Sequence, residues 1–438
     1  MLFKLPFLRD LDVHMKEVVQ GAGVAFLLKL VGASFSFGFS VLLARLFGAD
    51  GAGVYFLALT VSTIGATFGR FGLENTLLRF VSAHAAKGEW PAVRGVFKKG
   101  MGLALAISSL ISFLLFFLAP LMAVHFFHKP TLAMPLRWMA LTIAPFSMLF
   151  LYGELLKGLK YIRDSQLVQG VALPVLTFVG LFCLGDRFGV EGAIWIYLVS
   201  TIAVSIWGAY LWRSYTPQLR CVVSKFETSQ LLVSCVPLFW VQVMSMLINW
   251  SAILCLGIWA SKADVGIFGA ALRTAMLTSF ILTSVNSIAA PKFSELYSQG
   301  DLQGLSTTAK KSAAMMTAIA TPILLVFIVV PEDVMRMFGD DFKKGGVLLA
   351  ILAVGQFINV ATGSVGYLLM MSGNERLMRD NTIVVGVVTV ILSIILIPTF
   401  GAIGAAISTA ISMAMLNLGA LLLVWKKMGI LTVGFKIR

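Results

Sequence analysis

Charge is scarce in this chain. Of its 438 residues only 12% are charged, while 59% are hydrophobic and the mean hydropathy is +0.93. A soluble globular domain carries about 25% charged residues, and half of that cannot cover a globule of this size, which speaks against a soluble enzyme. Acids are scarcer than bases, 20 against 34, for a net charge of +14. The four cysteines, Cys183, Cys221, Cys235 and Cys255, show no C-x-x-C spacing, so neither a structural zinc nor a disulfide framework is indicated. There is no G-x-x-x-x-G-K-S/T segment to cradle nucleotide phosphates. The longest polar connections, Val81–Lys99, Arg213–Gln230 and Pro291–Lys311, are too short for an aqueous domain, which also tells against an ABC transporter. His125 and His128 lie one helical turn apart without a nearby acid and read as interfacial rather than metal-binding. No cofactor is implied.

What the chain has instead is apolar length. A bilayer-crossing helix needs about 20 mostly apolar residues. Twelve stretches qualify, at 18–44, 52–73, 100–123, 137–156, 165–185, 191–212, 231–258, 265–289, 312–331, 345–371, 381–398 and 402–425. Their apolar residues run continuously rather than alternating over ten-residue segments, which selects helices over a barrel. Residues 1–16 contain Lys4, Arg9, Asp10, Asp12 and Lys16 and no apolar core of signal-peptide length; 4–18 reads as a surface amphipathic helix or a plain tail. With the N-terminus inside, 23 of the 34 bases fall on the cytoplasmic side, 8 on the other, and only Lys29, Arg70 and Arg273 within spans. The positive-inside rule then predicts both termini in the cytoplasm. The basic pI of 9.7 is thereby explained by topology and not by nucleic-acid binding.

The chain also resembles itself. Lys87-Gly88-Glu89-Trp90 followed by Lys98-Lys99 matches Gln299-Gly300-Asp301-Leu302 followed by Lys310-Lys311, and Phe188-Gly189-Val190-Glu191-Gly192-Ala193 matches Phe400-Gly401-Ala402-Ile403-Gly404-Ala405. Both pairs are offset by 212 residues. Two six-helix lobes are expected, 1–212 and 231–438, joined by a cytoplasmic linker at 213–230. Six spans per lobe give both the same orientation, the parallel-repeat plan with a central site between lobes.

Several segments carry a family resemblance. Leu43-Ala44-Arg45-Leu46-Phe47-Gly48, Gly53-Val54-Tyr55-Phe56, and Phe71-Gly72-Leu73-Glu74 running into Leu78-Arg79-Phe80-Val81 are similar to the opening of polysaccharide flippases. So are Leu368–Gly373, Ile397-Pro398-Thr399-Phe400-Gly401 and the closing Lys426-Lys427. These flippases belong to the multidrug/oligosaccharidyl-lipid/polysaccharide exporter superfamily. The resemblance implies an all-α membrane protein of about twelve spans around a central cleft, in a bacterial inner membrane. It implies a noncatalytic carrier that moves undecaprenyl-diphosphate-linked oligosaccharide units by alternating access. Its partners would be the lipid-linked glycan, membrane lipids and polysaccharide polymerase or assembly proteins. The competing functions are a cation-coupled multidrug antiporter of the same fold and a membrane glycosyltransferase or polymerase. The latter usually needs larger external loops bearing acids.

Charges inside a bilayer are costly and mark functional candidates. Counted from residue 18, Lys29 lies about 16 Å into the first span, near the midplane. Arg273 lies about 12 Å from the outer end of the eighth. One from each lobe, they suit a diphosphate: arginine by bidentate contact, lysine as a point charge. Arg70 is placed to meet the lipid headgroup or to pair with Glu74 four residues on. Glu74 and Glu154 are the carboxylates within the spans, hence the candidates for ion coupling. Ser36, Thr63, Thr67, Gln242, Asn249, Gln356 and Asn359 form polar stripes that line a lumen or join helices by hydrogen bonds.

Overall fold

A computed structural model describes residues 13–432 apart from 221 and 225, with side chains from residue 26 onward except 185–188 and several positions between 237 and 298. The surface amphipathic reading of 4–18 therefore falls almost wholly outside the described residues. All regular structure among the described residues is helical. Three continuous helical runs, Val13–Arg70, Ala172–Tyr215 and Glu375–Met428, contain 58, 44 and 54 residues. At a rise of 1.5 Å per residue they are about 65–87 Å long, more than twice the ~30 Å hydrocarbon core. Each must therefore turn back on itself.

The reversal takes place at one glycine in each run: Gly48 (φ 65°), Gly189 (φ 60°) and Gly401 (φ 57°). Positive φ costs glycine nothing, so antiparallel spans are joined with no loop between them. Contacts across each bend establish the hairpins. The rings of Phe39 and Tyr55 are 5.4 Å apart, Gly180 abuts Ile196, and Asn381 Nδ2 donates to the Leu416 carbonyl at 2.9 Å.

Counting the two arms of each hairpin separately gives twelve spans. Spans 1 and 2 are 13–47 and 49–70; span 3 is Trp90–Leu121. Span 4 comprises Ala133–Ala140 and Ile143–Gly158, with a bend of 41° between its halves. Spans 5 and 6 are 162–188 and 190–215, and span 7 is Thr228–Trp259. Span 8 is Lys262–Met276 continued by Ser279–Ser298. Span 9 is Leu302–Val329, and span 10 is Gly346–Ala361 followed by Val365–Met371. Spans 11 and 12 are 375–400 and 402–428. Apolar side chains such as Phe113, Phe117 and Ile206 are more than 60% exposed along these helices, a surface that only lipid would cover. The chain is a multi-pass membrane protein.

Two expected polar connections prove to be helical. Leu73–Ala86 forms a helix of its own, and span 3 begins at Trp90 rather than near residue 100. The cause is an apolar stripe hidden among the charges. Leu73, Leu77 and Val81, four residues apart on one face, are fully buried with Val93 and Val96. The stretch 291–311 behaves alike: its helices run to Ser298 and from Leu302, with Phe293, Leu296, Leu305 and Ala309 buried.

Backbone geometry carries the internal repeat more clearly than residue identity does. Gly88 and Gly300 both have positive φ at an offset of 212, as do Gly189 and Gly401. Lys160 pairs with Gly373 at an offset of 213, and His128 with Gly339 at 211. Each lobe therefore makes the same turns in the same order.

Candidate functional site at the meeting of the two halves

Span 2, with the turn and helix that follow it, touches the second half at both ends. At one end its backbone lies directly on span 8. A Cβ added at Gly53 would stand 1.8 Å from the Lys262 carbonyl oxygen, and one at Gly266 would stand 2.1 Å from that of Ala49. Only residues without a side chain permit such approach. Arg45 Nε donates to the Met337 carbonyl at 2.8 Å and Lys129 Nζ to the Gly257 carbonyl at 2.5 Å on the same face. At the other end, the face rich in lysine and arginine, Gly72 would meet the Cys235 carbonyl at 2.5 Å. There Phe71 and Phe239 have ring centroids 4.8 Å apart, and Arg79 donates to Ser234 Oγ at 3.0 Å.

Arg273 lies at the inner end of the span 2–span 8 seam. Eleven residues beyond Lys262, it is about 16 Å deep. Its guanidinium carbon sits 3.8 Å from the ring centroid of Phe56 on span 2, and Nη1 donates to the Gly269 carbonyl of its own helix at 3.0 Å. No carboxylate among the described residues pairs with it.

Lys29 is exposed, with no hydrogen bond or ion pair to any described residue. The helix that carries it extends beyond the apolar run 18–44 at both ends. Span 1 does not end near residue 44 but runs to the Gly48 bend, 19 residues beyond Lys29. That places Lys29 about 28 Å from this bend and, 16 residues after Val13, about 24 Å from the start of the helix. Lys157, at the end of span 4, is within its electrostatic reach. The backbones of Lys29 and Arg273 consequently stand at levels about 12 Å apart.

Arg70 is enclosed by its own half. It is 4% exposed inside the first half, its Nε bound to Glu74 and its Nη2 3.3 Å from Thr67 Oγ1. Its guanidinium lies 4.7 Å from the Phe150 ring centroid. Nη1 is buried without a partner among the described residues. Glu154 is also buried, and accepts from Lys157 at 3.3 Å and from Gln169 at 3.1 Å. Both candidate carboxylates thus have a cation at hand.

The polar residues divide between the two readings. Thr63 and Thr67 donate to carbonyls one turn back, Leu59 and Thr63, at 2.7 and 2.9 Å. Asn249 does the same to Ser245 at 2.7 Å although exposed. Gln356 is buried and accepts from Ser279 at 3.0 Å and from Asn359 at 3.1 Å, joining spans 8 and 10. Ser36 is exposed on the same span as Lys29, and Gln242 is half-buried. Sequence reasoning missed Phe56, Lys157 and Gln169. The small residues Ala49 and Gly53 facing Gly266 and Gly269 were a readable sign of close helix contact; nothing local pointed to Gln169, which lies in a one-turn π-helix, Leu167–Val171.

A twelve-span protein with duplicated halves meeting along a seam has the parallel-repeat plan found among secondary transporters. The sequence profile of the family described as "Polysaccharide biosynthesis protein" matches residues 18–297, and this chain belongs to that family. The profile described as MatE matches 236–399. The chain is 24% identical over 399 residues to the "Probable low-salt glycan biosynthesis flippase Agl15" of Haloferax volcanii, covering 89% of this chain and 79% of that one. Its fold is similar to "Lipid II flippase MurJ, inward closed conformation", with TM-score 0.74 and 16% identity over 93% of this chain and 87% of that one. An inward-facing multidrug resistance MATE family transporter of the MOP superfamily matches with TM-score 0.73 and 15% identity, over 93% and 98% of the two chains.

Proposed function

We propose that this protein is a flippase that carries a lipid-linked oligosaccharide, with undecaprenyl diphosphate as the lipid, across the inner membrane of a bacterium by alternating access. The relatives are named as glycan and lipid flippases, which supports a transporter rather than an enzyme. Residues 1–212 and 231–438 act as the moving lobes, 213–230 as their linker, with both termini and the basic face in the cytoplasm. The observation that carries the reading is the chemistry of the cleft. Its intramembrane cations, Lys29 and Arg273, have no carboxylate partner among the described residues, whereas the acids Glu74 and Glu154 are tied to Arg70 and Lys157. Free cations at two levels suit an anionic headgroup handed from Lys29 to Arg273 as the cleft changes access. A drug-cation antiporter needs the opposite arrangement, with acids facing the cleft. Glu154, close to the Lys29 level, serves as the coupling group, and polysaccharide polymerase or assembly proteins receive the product.

The test is transbilayer movement of a labelled undecaprenyl-diphosphate glycan in proteoliposomes. Lys29→Gln and Arg273→Gln are expected to cut the rate at least tenfold at normal abundance. Wild-type rates in both variants, or movement of organic cations with none of the glycan, would overturn the reading.

A further inference from the structure

We infer that Phe56 is a positioning residue for the headgroup site: it parks the Arg273 guanidinium while the site is empty and gives it up to the arriving anion, which loosens the seam between spans 2 and 8. The inference rests on the reading of Arg273 as a headgroup ligand. It is drawn from the cross-half geometry and not from the cation alone.

Three observations converge. First, Arg273 and Phe56 belong to different halves, so their 3.8 Å contact is a bond between halves. Second, the contact is the last member of a regular series. On span 8, Lys262, Gly266, Gly269 and Arg273 follow at steps of four, three and four, one face of a helix. They meet Ala49, Gly53 and Phe56 on span 2, where a Cβ at Gly269 would stand 2.6 Å from the Phe56 ring. Third, the guanidinium is under-committed. Its hydrogen bond to the Gly269 carbonyl leaves the other donors without protein acceptors among the described residues, and the polar side chain within electrostatic reach is Tyr55, itself buried.

A guanidinium over an aromatic face is held by the ring quadrupole, but a phosphate accepts two of its N–H groups in a fork and bears full charge. The anion therefore wins the competition. Moving the guanidinium toward a phosphate in the cleft draws it off the ring and removes the innermost contact of the seam. The remaining contacts of that face are the backbone packing at Gly53 and Gly266 and the hydrogen bonds of Arg45 to Met337 and of Lys129 to Gly257. Substrate occupancy is thereby coupled to opening of the face away from the basic one. An uncharged lipid, which cannot take the guanidinium, leaves the seam shut.

The experiment measures binding of geranylgeranyl diphosphate, with geranylgeraniol as uncharged control, to the full chain in detergent or nanodiscs by calorimetry. Phe56→Leu keeps the apolar volume and removes the ring; Phe56→Tyr keeps the ring. Phe56→Leu is expected to bind the diphosphate about threefold or more tightly than wild type, because the competing contact is gone. Phe56→Tyr should match wild type, and geranylgeraniol should bind all three alike. A second readout follows seam opening by the distance between spin labels at Glu191→Cys and Asp333→Cys. The diphosphate should lengthen it in wild type, and Phe56→Leu should be lengthened without ligand. Unchanged or weaker diphosphate binding in Phe56→Leu, with Arg273→Gln defective, overturns the parking role and leaves the headgroup reading standing. Wild-type binding by Arg273→Gln overturns both.

Discussion

Replacing Gly53 with alanine should shift the whole protein toward the conformation open at the seam. The added Cβ would lie 1.8 Å from the Lys262 carbonyl oxygen, 2.7 Å from its carbon and 3.0 Å from the Gly266 nitrogen. All three are backbone atoms and cannot rotate aside. Restoring a tolerable contact of about 3.0–3.4 Å requires the helices to part by more than 1 Å, in a region packed as densely as a soluble core. Overpacking of this kind costs about 1–3 kcal/mol. Here the cost falls on the sealed state alone, since the open state has no Lys262 opposite residue 53. At 1.4 kcal/mol per factor of ten, the open population rises roughly five- to hundredfold. Gly266→Ala attacks the seam from the other wall, where its Cβ would lie 2.1 Å from the Ala49 oxygen, and should act in the same direction. Gly102→Ala is the control, because a Cβ there meets nothing within 4 Å. Spin labels at Glu191→Cys and Asp333→Cys, in a background lacking the native cysteines, report the opening as a longer distance. A wild-type distance distribution in both seam variants, with thermal stability preserved, would refute the argument that this backbone contact holds the closed state.

Other consequences follow from the buried ion pairs and the loops. Arg70→Gln strands the Glu74 carboxylate in a buried site and should destabilise the protein by about 3 kcal/mol or more; the double variant with Glu74→Gln should recover most of this in thermal unfolding. Glu154→Gln keeps the hydrogen bond to Gln169 available but removes the ionisable carboxyl. Transport in proteoliposomes should then lose its dependence on a pH gradient, and an unchanged dependence would eliminate Glu154 as the coupling site. On the basic face, a hydrogen bond from His84 at 2.6 Å holds the Glu89 carboxyl below its usual range. A depressed carboxyl stabilises the fold above its unfolded value of about 4.3, and that contribution disappears as pH falls through the folded value. An NMR titration should find Glu89 below the ordinary glutamate midpoint, and His84→Ala should return it there.

The spans were legible because lipid imposes one strong requirement, apolar length, and hydropathy reports it directly. Their ends were not. Hydropathy fades where a helix leaves the bilayer, but the helix continues for as long as one face has something to pack on, as Leu77 and Val81 do against Val93 and Val96. The same effect lengthens the helix of Lys29: the apolar run from 18 to 44 becomes a helix from Val13 to the Gly48 bend, with Lys29 about 28 Å from that bend. The Arg70–Glu74 pair was visible as an i, i+4 spacing, although it joins the end of span 2 to the helix that follows. The contact between Phe56 and Arg273, more than two hundred residues apart in sequence, had no local signature. It arises only when the two halves are docked.

The duplication explains why the site escapes a repeat comparison. Turn geometry recurs between halves at His128 and Gly339, Lys160 and Gly373, and Gly189 and Gly401, because each half must make the same bends to fold. Charge need not recur. The residue 212 positions after Phe56 is Phe268, buried in the second half, whereas the residue 212 positions before Arg273 is Val61. The first half carries its free cation on span 1 and the second carries its own on span 8. A carrier built from two identical lobes would present the same cations at one level from both sides, and a diphosphate bound symmetrically there would have no reason to move. In the proposed function, two cations at unequal levels, exposed Lys29 and Arg273 held on the Phe56 ring of the other half, serve as successive stations for the headgroup.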